Sequence, residues 1–315
     1  MKRTLRVGVF GVGALGEHHA RIYSELAGAE LVGVFDAQPA RAALIAERYH
    51  TRAFDSADEL AAEIEAASVV VPTDLHREVA GRLLDRGLHL LVEKPLAART
   101  SEAEELVALA QQRQAVLQVG HVERFNPVLR AFDSFRTPPK FIEAHRLAPY
   151  PAPRPGLPPR GTEVSVVLDL MIHDLEILLH LVRSPVCEIH AVGISVLSAS
   201  EDIANVRIRF ENGCVANVTA SRISPERMRK IRVFFEEAYV SLDYMNQAGE
   251  MYVRTDSGID CRIVPVEKEE PLRRELESFL ACVEGRDRPR VGGEEAAEAL
   301  RLAVEICRRI KAGPS

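Results

Sequence analysis

The feature that most constrains how this chain folds is a glycine-rich turn between a strand pattern and a helix pattern near its start. Residues 5–10, LRVGVF, have the apolar composition of a buried β-strand, and GVGALG follows at residues 11–16 in G-x-G-x-x-G spacing. A second strand pattern over residues 30–36 ends in Asp36, about 20 residues after the last glycine. Glycines at this spacing are common in ordinary turns, but the order of strand, glycine turn, helix, strand and acid is typical of a dinucleotide-binding unit.

Each glycine of the turn has its own expected function. Gly11 permits the tight turn, Gly13 lets the backbone approach a pyrophosphate, and Gly16 lets the following helix pack closely on the strand. The free N–H groups and the positive dipole end at the start of that helix favour phosphate. The cofactor-binding residues predicted here are Gly11, Val12, Gly13, Ala14, Leu15 and Gly16.

Asp36 predicts which dinucleotide binds. A carboxylate at the end of the second strand accepts hydrogen bonds from a ribose 2′-hydroxyl and repels a 2′-phosphate. The chain continues Ala37-Gln38-Pro39, so no arginine directly follows the acid. We therefore predict NAD rather than NADP as the cofactor, with Arg41 as the residue that could reverse this preference.

Strand and helix patterns alternate as far as residue 120, which predicts a parallel sheet with right-handed crossovers. Ligands of such sheets lie beyond the carboxyl ends of the strands. Besides the glycine turn, this rule selects PTDLH (72–76), EKP (93–95) and GHVERFNP (120–127). The further cofactor contacts predicted from these stretches are Thr73, His76, Glu93, Lys94 and Asn126.

Lys94 is a candidate catalytic residue. It stands at the end of an apolar strand pattern, between Glu93 and Pro95. Lysine is usually a surface residue. At the ligand edge of the sheet, however, its ammonium group would lie near a nicotinamide and a reacting hydroxyl, and desolvation readily tunes a lysine for proton transfer. We therefore expect Lys94 to bind substrate and to take part in catalysis.

The pattern changes beyond residue 121. Strand patterns follow one another over residues 187–255 without long helices between them, which predicts an antiparallel sheet, and Asn212-Gly213 predicts a hairpin turn. The predicted fold class is α/β. The expected domains are a Rossmann domain with a parallel sheet at residues 1–121 and an α+β domain with a mostly antiparallel open sheet at residues 122–315.

A proline-rich stretch, LAPYPAPRPGLPPRGT (147–162), contains Arg154 and Arg160. One interpretation is a stiff connector on the surface. The other is a substrate loop whose arginines bind a phosphate or carboxylate group. Both interpretations stay open from the sequence, and both arginines are candidate substrate-binding residues.

The segment VVLDLMIHDLEILLHLV (166–182) is an apolar helix pattern interrupted by charge. At 100° per residue, one narrow stripe contains Asp169, His173, Glu176 and His180. We expect Glu176 and His180 to lie on a solvated face, as charged side chains usually do. Asp174 lies on the apolar side and is expected to be a buried partner in a site or a structural hydrogen-bonding group.

Asp169 and His173 form the second candidate catalytic group. Their i, i+4 spacing puts a carboxylate one turn from an imidazole, an arrangement that fixes the tautomer of a histidine and stabilises its protonated form. An alcohol that loses hydride to NAD also loses its hydroxyl proton, and without a metal it needs a base of near-neutral pKa. His173 fits this function, and Asp169 or Lys94 could share it. No other segment offers metal ligands at a recognisable spacing, so no metal is predicted.

Composition excludes several classes of protein. A net charge of −6 argues against nucleic acid or an anionic membrane as the main partner, and no segment has the length and evenness of a membrane-spanning helix. The five cysteines are odd in number and widely spaced, so they suggest neither a disulfide framework nor a zinc knuckle. We therefore expect a cytoplasmic protein with a small-molecule substrate.

Taken together, these motifs resemble the Gfo/Idh/MocA family of oxidoreductases. The matching features are GVGALG, Asp36, PTDLH, the EKPL of residues 93–96, and the D-x-x-x-H of Asp169 and His173. The resemblance implies that the lysine of EKP and the histidine of D-x-x-x-H lie by the nicotinamide, so that Lys94, Asp169 and His173 are the catalytic candidates. It also implies a homo-oligomer, a dimer or tetramer formed through the open sheet, and a last helix (293–311) that packs back on the Rossmann domain.

Two stretches, GHVERFNP (120–127) and VVLDLMIHDLEI (166–177), resemble a narrower branch whose members oxidise the C3 hydroxyl of UDP-N-acetylglucosamine for the 3-amino sugars of lipid A. That resemblance places Arg124 and Asn126 near cofactor or substrate, and Arg154 or Arg160 near the diphosphate. Two alternatives stay open. One is an enzyme for an unactivated sugar or a cyclitol, and the other is a catalytically silent regulator that binds dinucleotide.

Overall fold

The computed structural model describes residues 4–153 and 159–313 of the chain. By its contacts the chain divides into two compact units. The first comprises residues 1–125 and 270–297, and the second comprises the remainder. The segment 270–297, which follows the predicted domain boundary in the sequence, therefore groups with the first unit.

The first unit has a parallel sheet with helices between its strands. Its described strands are β1 (Leu5–Phe10), β2 (Ala29–Phe35), β3 (Arg52–Ala53), β4 (Ala66–Val69), β5 (His89–Glu93) and β6 (Leu117–Gly120). Their order is β3-β2-β1-β4-β5-β6, with every neighbouring pair parallel. This is the Rossmann arrangement, so the predicted parallel sheet is confirmed. The intervening helices are α1 (Ala14–Glu25), α2 (Pro39–Arg48), α3 (Ala57–Glu63), α4 (Thr73–Asp85) and α5 (Thr100–Gln112).

The second unit contains a larger, mostly antiparallel sheet. Its described strands are β7 (Phe141–Leu147), β8 (Val186–Ile194), β9 (Ile203–Phe210), β10 (Val215–Ser221), β11 (Met228–Phe234), β12 (Ala238–Asp243), β13 (Ala248–Thr255) and β14 (Gly258–Ile263). Their order is β14-β13-β12-β11-β7-β10-β9-β8, and the β7–β10 pair is parallel. The other pairs are antiparallel, which confirms the predicted sheet. Helix α6 (Ile172–Val182) follows one turn of π-helix at Val167–Met171.

Strands β7 and β14 were not predicted from the sequence. In β7 the buried positions are Ile142, Ala144 and Arg146, so an arginine interrupts the apolar alternation. Arg146 is only 3% exposed because it forms an ion pair with Asp174 of α6. Strand β14 is exposed along its whole length and therefore has no buried apolar face that a pattern could reveal.

A segment from far along the chain completes the core of the first unit. Helix α7 (Pro271–Val283) buries its apolar face, including Leu276 and Phe279, in the same hydrophobic cluster as Ile22 and Tyr23 of α1. The next helix, α8 (Gly293–Ala312), begins in the first unit, and its residues from Glu298 onward belong to the second. An amphipathic pattern predicts a buried face but does not reveal what covers it.

Candidate active site

The fold itself requires two glycines of the glycine-rich turn. Gly11 has a φ of 85°, and a Cβ there would lie 2.6 Å from the carbonyl oxygen of Val70. A Cβ on Gly16 would lie 1.9 Å from the carbonyl oxygen of Gly11. A Cβ on Gly13, by contrast, would meet no described heavy atom within 4 Å. The fold thus leaves open space at Gly13, as the close approach of a pyrophosphate requires.

The surroundings of the turn also fit a dinucleotide. Gly13 is the N-cap of α1 and offers no side chain to the first turn, so backbone N–H groups remain for an anion. Asp36 lies beside the turn, where its Oδ2 accepts a hydrogen bond from the Val12 amide at 2.8 Å. The start of α1 would therefore hold the phosphates of the cofactor, and Asp36 would hold its ribose hydroxyls.

Replacing Gly13 by alanine is expected to weaken NAD binding by about tenfold or more while leaving the melting temperature unchanged, because the added methyl group occupies space that a ligand needs. Gly16→Ala should instead lower the melting temperature, because a backbone oxygen 1.9 Å from the new Cβ has to move. Calorimetric titration with NAD and thermal unfolding of both variants separate the two effects. Normal NAD affinity in Gly13→Ala would contradict the assignment of this space to the cofactor.

Arg41, the residue that could have favoured NADP, is engaged by the protein. Its Nε donates to the Val12 carbonyl at 2.7 Å, and its Nη2 lies 2.6 Å from a carboxylate oxygen of Glu17. The hydrogen bond from Arg41 holds the pKa of the Glu17 carboxyl below its ordinary value, so the pair is ionic. A guanidinium group already paired with a carboxylate is less available to a 2′-phosphate, which supports NAD as the preferred cofactor.

Asp36→Ala is therefore expected to lower the preference for NAD over NADP by about tenfold to a hundredfold, since a hydrogen bond to a charged group contributes about 1.5–3 kcal/mol. The ratio of kcat/KM for the two cofactors measures this preference. Asp55→Ala, at an exposed acid of the same unit, is the matched control and should leave the ratio unchanged. A wild-type protein that already prefers NADP would show that Asp36 was interpreted wrongly.

His76 connects two strand-end loops of the first unit. Its ring is buried, with Nδ1 and Nε2 each 2.9 Å from a backbone carbonyl oxygen, those of Pro95 and Val71 respectively. Burial lowers the pKa of this imidazole. We predicted Thr73 and His76 as cofactor contacts. Thr73 is partly exposed at the start of α4, whereas the ring of His76 lies between the Val71 carbonyl, in the loop after β4, and the carbonyl of Pro95, which follows the cis Lys94–Pro95 bond.

Glu93 lies at one end of a buried chain of polar groups. Its Oε1 lies 3.3 Å from Nε2 of His19, whose Nδ1 is 3.0 Å from Oγ of Ser68. That hydroxyl lies 3.0 Å from the Tyr23 hydroxyl. Glu93 is 7% exposed, and a Cβ on Gly120 would lie 2.6 Å from its Oε1. The carboxylate is thus enclosed by protein groups, a position the sequence did not indicate. His19 was not predicted either, although a histidine on the buried face of α1 was a usable signal.

Lys94 is half-buried after β5, and its charge acts on His121. Burial, together with the positive charges of Lys94 and Arg124, lowers the pKa of His121 to about 3. This imidazole is therefore neutral at physiological pH. The structure thus brings the EKP and GHVERFNP stretches together, as predicted from the edge of the sheet. His121 was missed as an individual residue because burial, which sets its charge, cannot be read from its neighbours in the sequence.

The second unit holds the other catalytic candidates. Asp169 lies in the π-helical turn, and its amide donates to the Ser165 carbonyl at 3.0 Å. A Cβ on Gly161, whose φ is 83°, would lie 2.4 Å from Oδ2 of Asp169. His173 lies in the first turn of α6, and both candidates are half-buried. A π turn interrupts the regular helix that we assumed at 100° per residue, and such turns are frequent at functional sites.

The remaining polar residues of α6 have separate environments. Asp174 is 1% exposed and accepts two hydrogen bonds from Arg146, at 2.7 and 3.0 Å, which confirms the structural alternative predicted for it. His180 is exposed, as expected. The expectation that Glu176 is solvated is wrong, because this residue is only 2% exposed. Packing inside the second unit, rather than helix periodicity alone, decides which residues of α6 meet solvent.

Three further candidates remain, of which two lie in the described part of the second unit. Asn126 is buried; its amide nitrogen donates to the Tyr244 carbonyl at 3.0 Å, and its oxygen accepts from the amide of Val128. Its contact with cofactor remains a prediction. Arg160 is exposed and thus accessible to a ligand, and Arg154 lies outside the described residues.

The described part of the chain lacks two larger features, a cluster of metal ligands and a membrane-spanning helix. Among residues 4–153 and 159–313, no group of three or more His, Cys, Asp or Glu side chains is arranged to hold a metal ion. In the same part of the chain, no helix combines the length and apolar character needed to cross a membrane.

Comparisons with known proteins agree with this architecture. A family model described as an oxidoreductase family with an NAD-binding Rossmann fold matches residues 5–121, and the C-terminal domain model of that family matches residues 138–241. UDP-N-acetylglucosamine 3-dehydrogenase of Acidithiobacillus ferrooxidans is 37% identical over 286 residues, which cover 89% of this chain and 88% of that protein. A solved structure of the same enzyme superposes with a TM-score of 0.91, at 35% identity and 98% coverage of both chains.

More distant proteins are similar to this chain as well. Inositol 2-dehydrogenase of Rhizobium meliloti is 26% identical over 98% of this chain and 97% of that protein. A levoglucosan dehydrogenase solved with NADH and levoglucosan has a TM-score of 0.88 at 17% identity, over 98% of each chain, and this likeness shows the fold alone. Both family models, the dinucleotide turn and the long match to a dehydrogenase agree, and the chain belongs to the GFO/IDH/MocA family of NAD-binding oxidoreductases.

Proposed function

We propose that this protein oxidises the C3 hydroxyl of UDP-N-acetylglucosamine to a ketone and passes the hydride to NAD. The observation that carries the proposal is the similarity to UDP-N-acetylglucosamine 3-dehydrogenase over most of both chains. The glycine turn with its open space at Gly13, together with Asp36, supports NAD as the cofactor.

We propose that side chains of this protein remove the hydroxyl proton. His173 accepts the proton, because an imidazole changes its charge near neutral pH. The carboxylate of Asp169, in the preceding turn, stabilises the imidazolium that forms. The ammonium group of Lys94 would stabilise the negative charge developing on the reacting oxygen.

We also propose which residues bind the nucleotide part of the substrate. A diphosphate favours arginine, because the guanidinium group offers two parallel N–H donors to phosphate oxygens. The candidates are Arg124, Arg154 and Arg160, of which Arg160 is exposed. An unactivated sugar has no diphosphate for these arginines to bind. The same residues therefore distinguish nucleotide-activated sugars from unactivated ones.

The proposal is tested by incubating the purified protein with NAD and a panel of substrates, and by following NADH absorbance. We expect turnover with UDP-N-acetylglucosamine and little with N-acetylglucosamine or myo-inositol. Reduction of the product with borodeuteride, followed by NMR, should locate deuterium at C3. A response to myo-inositol but not to the UDP-sugar would replace the proposal with a cyclitol dehydrogenase, and NAD binding without turnover of any substrate would favour a regulator.

We further propose that the ketone is made for transfer of an amino group, toward the amino sugars of lipid A, by a cytoplasmic homo-oligomer. The edge strands of the larger sheet support the oligomer because they expose apolar side chains, among them Val192 and Ile194 on β8 and Ile259 and Ile263 on β14. Light scattering of the purified protein tests the oligomer, and a monomer at micromolar concentration would exclude it.

A further inference from the structure

We propose that Arg222 and Asp202 are positioning residues that hold the turn carrying Asp169 in its working conformation. The inference rests on the proposed function in one respect, namely that Asp169 and His173 act on the substrate. Neither Arg222 nor Asp202 stood out in the sequence, and both lie within the second unit.

Arg222 directly follows β10 and is among the largest fully buried side chains of the protein. An arginine has five N–H donors, and here all five are used. Their acceptors are Oδ1 of Asp202 at 2.8 Å, the carbonyls of Gly161 at 2.6 Å and Val164 at 2.8 Å, Oγ of Ser200 at 3.0 Å and the carbonyl of Glu201 at 3.1 Å. The guanidinium plane therefore joins the end of a strand to two separate irregular segments.

Asp202 fixes the second of these segments. It is fully buried, and its Oδ2 accepts hydrogen bonds from three consecutive amides, those of Val196, Leu197 and Ser198, at 2.8, 2.6 and 2.9 Å. Burial by itself would raise the pKa of this carboxyl, but the hydrogen bonds from Ser198, Arg222 and the backbone outweigh it and hold the pKa well below its ordinary value. Asp202 is thus a permanent carboxylate opposite a permanent guanidinium.

The first segment leads directly to Asp169. The carbonyls of Gly161 and Val164 are held by the same nitrogen of Arg222. Gly161 has a φ of 83° and packs against the Asp169 carboxylate so closely that a Cβ there would lie 2.4 Å from Oδ2. The adjoining Ser165 then accepts the Asp169 amide at the start of the π turn.

A general stabilising function explains this arrangement less well. A buried ion pair contributes little net stability compared with apolar side chains of similar volume, because both ions have to be desolvated. The π turn is a rare conformation, and Gly161 has the wide conformational freedom of glycine, so the surroundings have to fix both. Arg222 supplies that restraint, and a carboxylate misplaced by about 1 Å can reduce the rate about a hundredfold.

The test compares Arg222→Met, Arg222→Lys and Asp202→Asn in the full chain. The control is Val233→Ala, which leaves a cavity at a buried position of β11. The neighbours of β11 in the sheet are β7 and β12, so this change destabilises the second unit away from Arg222. The first measurement needs no substrate: hydrogen–deuterium exchange at the amides of residues 161–171. We expect exchange there to rise at least about tenfold in the Arg222 variants, compared at a temperature equally far below each melting temperature, and not in Val233→Ala.

The second measurement is steady-state kinetics with the sugar that the wild type oxidises. We expect the kcat of the Arg222 and Asp202 variants to fall about ten- to a hundredfold, with KM and NAD affinity nearly unchanged. Val233→Ala should keep the wild-type kcat. Arg222→Lys should not restore kcat, because a lysine keeps the charge but cannot span Asp202 and both carbonyls. If Arg222→Met does not fold, Arg222→Lys takes its place in both measurements.

Full activity of Arg222→Lys would overturn the inference, and so would amide exchange in residues 161–171 that is no faster than in Val233→Ala. If the wild type oxidises no sugar, the proposed function fails, and the exchange measurement still decides the positioning role.

Discussion

Replacing His173 by asparagine is expected to lower kcat by about 10²–10⁴-fold, the usual contribution of a general base, while leaving NAD affinity nearly unchanged. The imidazole lies in the first turn of α6 and is half-buried, so it is accessible for proton transfer. Asparagine retains a polar side chain of similar size but cannot accept the proton. Steady-state kinetics with saturating NAD measures kcat, and calorimetric titration measures NAD affinity.

His180 provides the matched control for this prediction, because it is a histidine on the same helix with an exposed side chain. His180→Asn should keep the wild-type kcat. If His173→Asn turned over as fast as His180→Asn, His173 would not be the base. If the turnover of His173→Asn recovers at higher pH, hydroxide in solution replaces the missing base, and this outcome supports general-base catalysis by His173.

Lys94→Met is the second change with a large expected effect, a fall in kcat of about 10²–10³-fold. Methionine keeps most of the length and apolar stem of lysine but removes the positive charge. His121 beside it is held neutral by burial, so it cannot supply that charge in place of Lys94. The negative charge that develops on the reacting oxygen would then be less stabilised, and kcat and kcat/KM should fall together.

Lys140→Met, at an exposed lysine of the second unit, should leave kinetics unchanged and controls for the loss of one positive charge from the protein. A rise in KM with normal kcat in Lys94→Met would assign Lys94 to substrate binding alone. Unchanged kinetics in both Lys94→Met and His173→Asn would contradict the catalytic assignment as a whole.

Local rules, which use only residues close together in the sequence, were sufficient to predict the Rossmann sheet. The glycine spacing, the acid at the end of the second strand and the alternation of strand and helix each depend on residues close together in the sequence. For that reason the parallel sheet could be predicted, together with the edge that presents the glycine turn and the EKP and GHVERFNP stretches. The mostly antiparallel second sheet was predicted for the same reason, from period-two patterns and one Asn-Gly turn.

Apart from Asp174, whose burial was expected from its place on the apolar side of the helix, local rules did not predict which charged residues are buried. Strand β7 was missed because Arg146 occupies a position where an apolar residue would be expected, and only its pairing with Asp174 makes that burial possible. Glu176 was placed in solvent because a carboxylate usually lies there, yet it is buried. Arg222 was not predicted as a functional residue because it is one of many arginines in the sequence, although all its donors are used inside the protein.

The sequence by itself therefore determined the fold class, the dinucleotide turn, the family and the candidates Lys94, Asp169 and His173, because each depends on residue types at short, fixed spacings. The tertiary structure alone decided which charges are buried, which side chains hold others and which face solvent. It placed His76 between two loops, enclosed Glu93 against His19 and joined Arg222 to the turn before Asp169. The physical reason is that the free energy of a buried charge depends on partners distant in the sequence, and only the folded chain brings those partners within hydrogen-bonding distance.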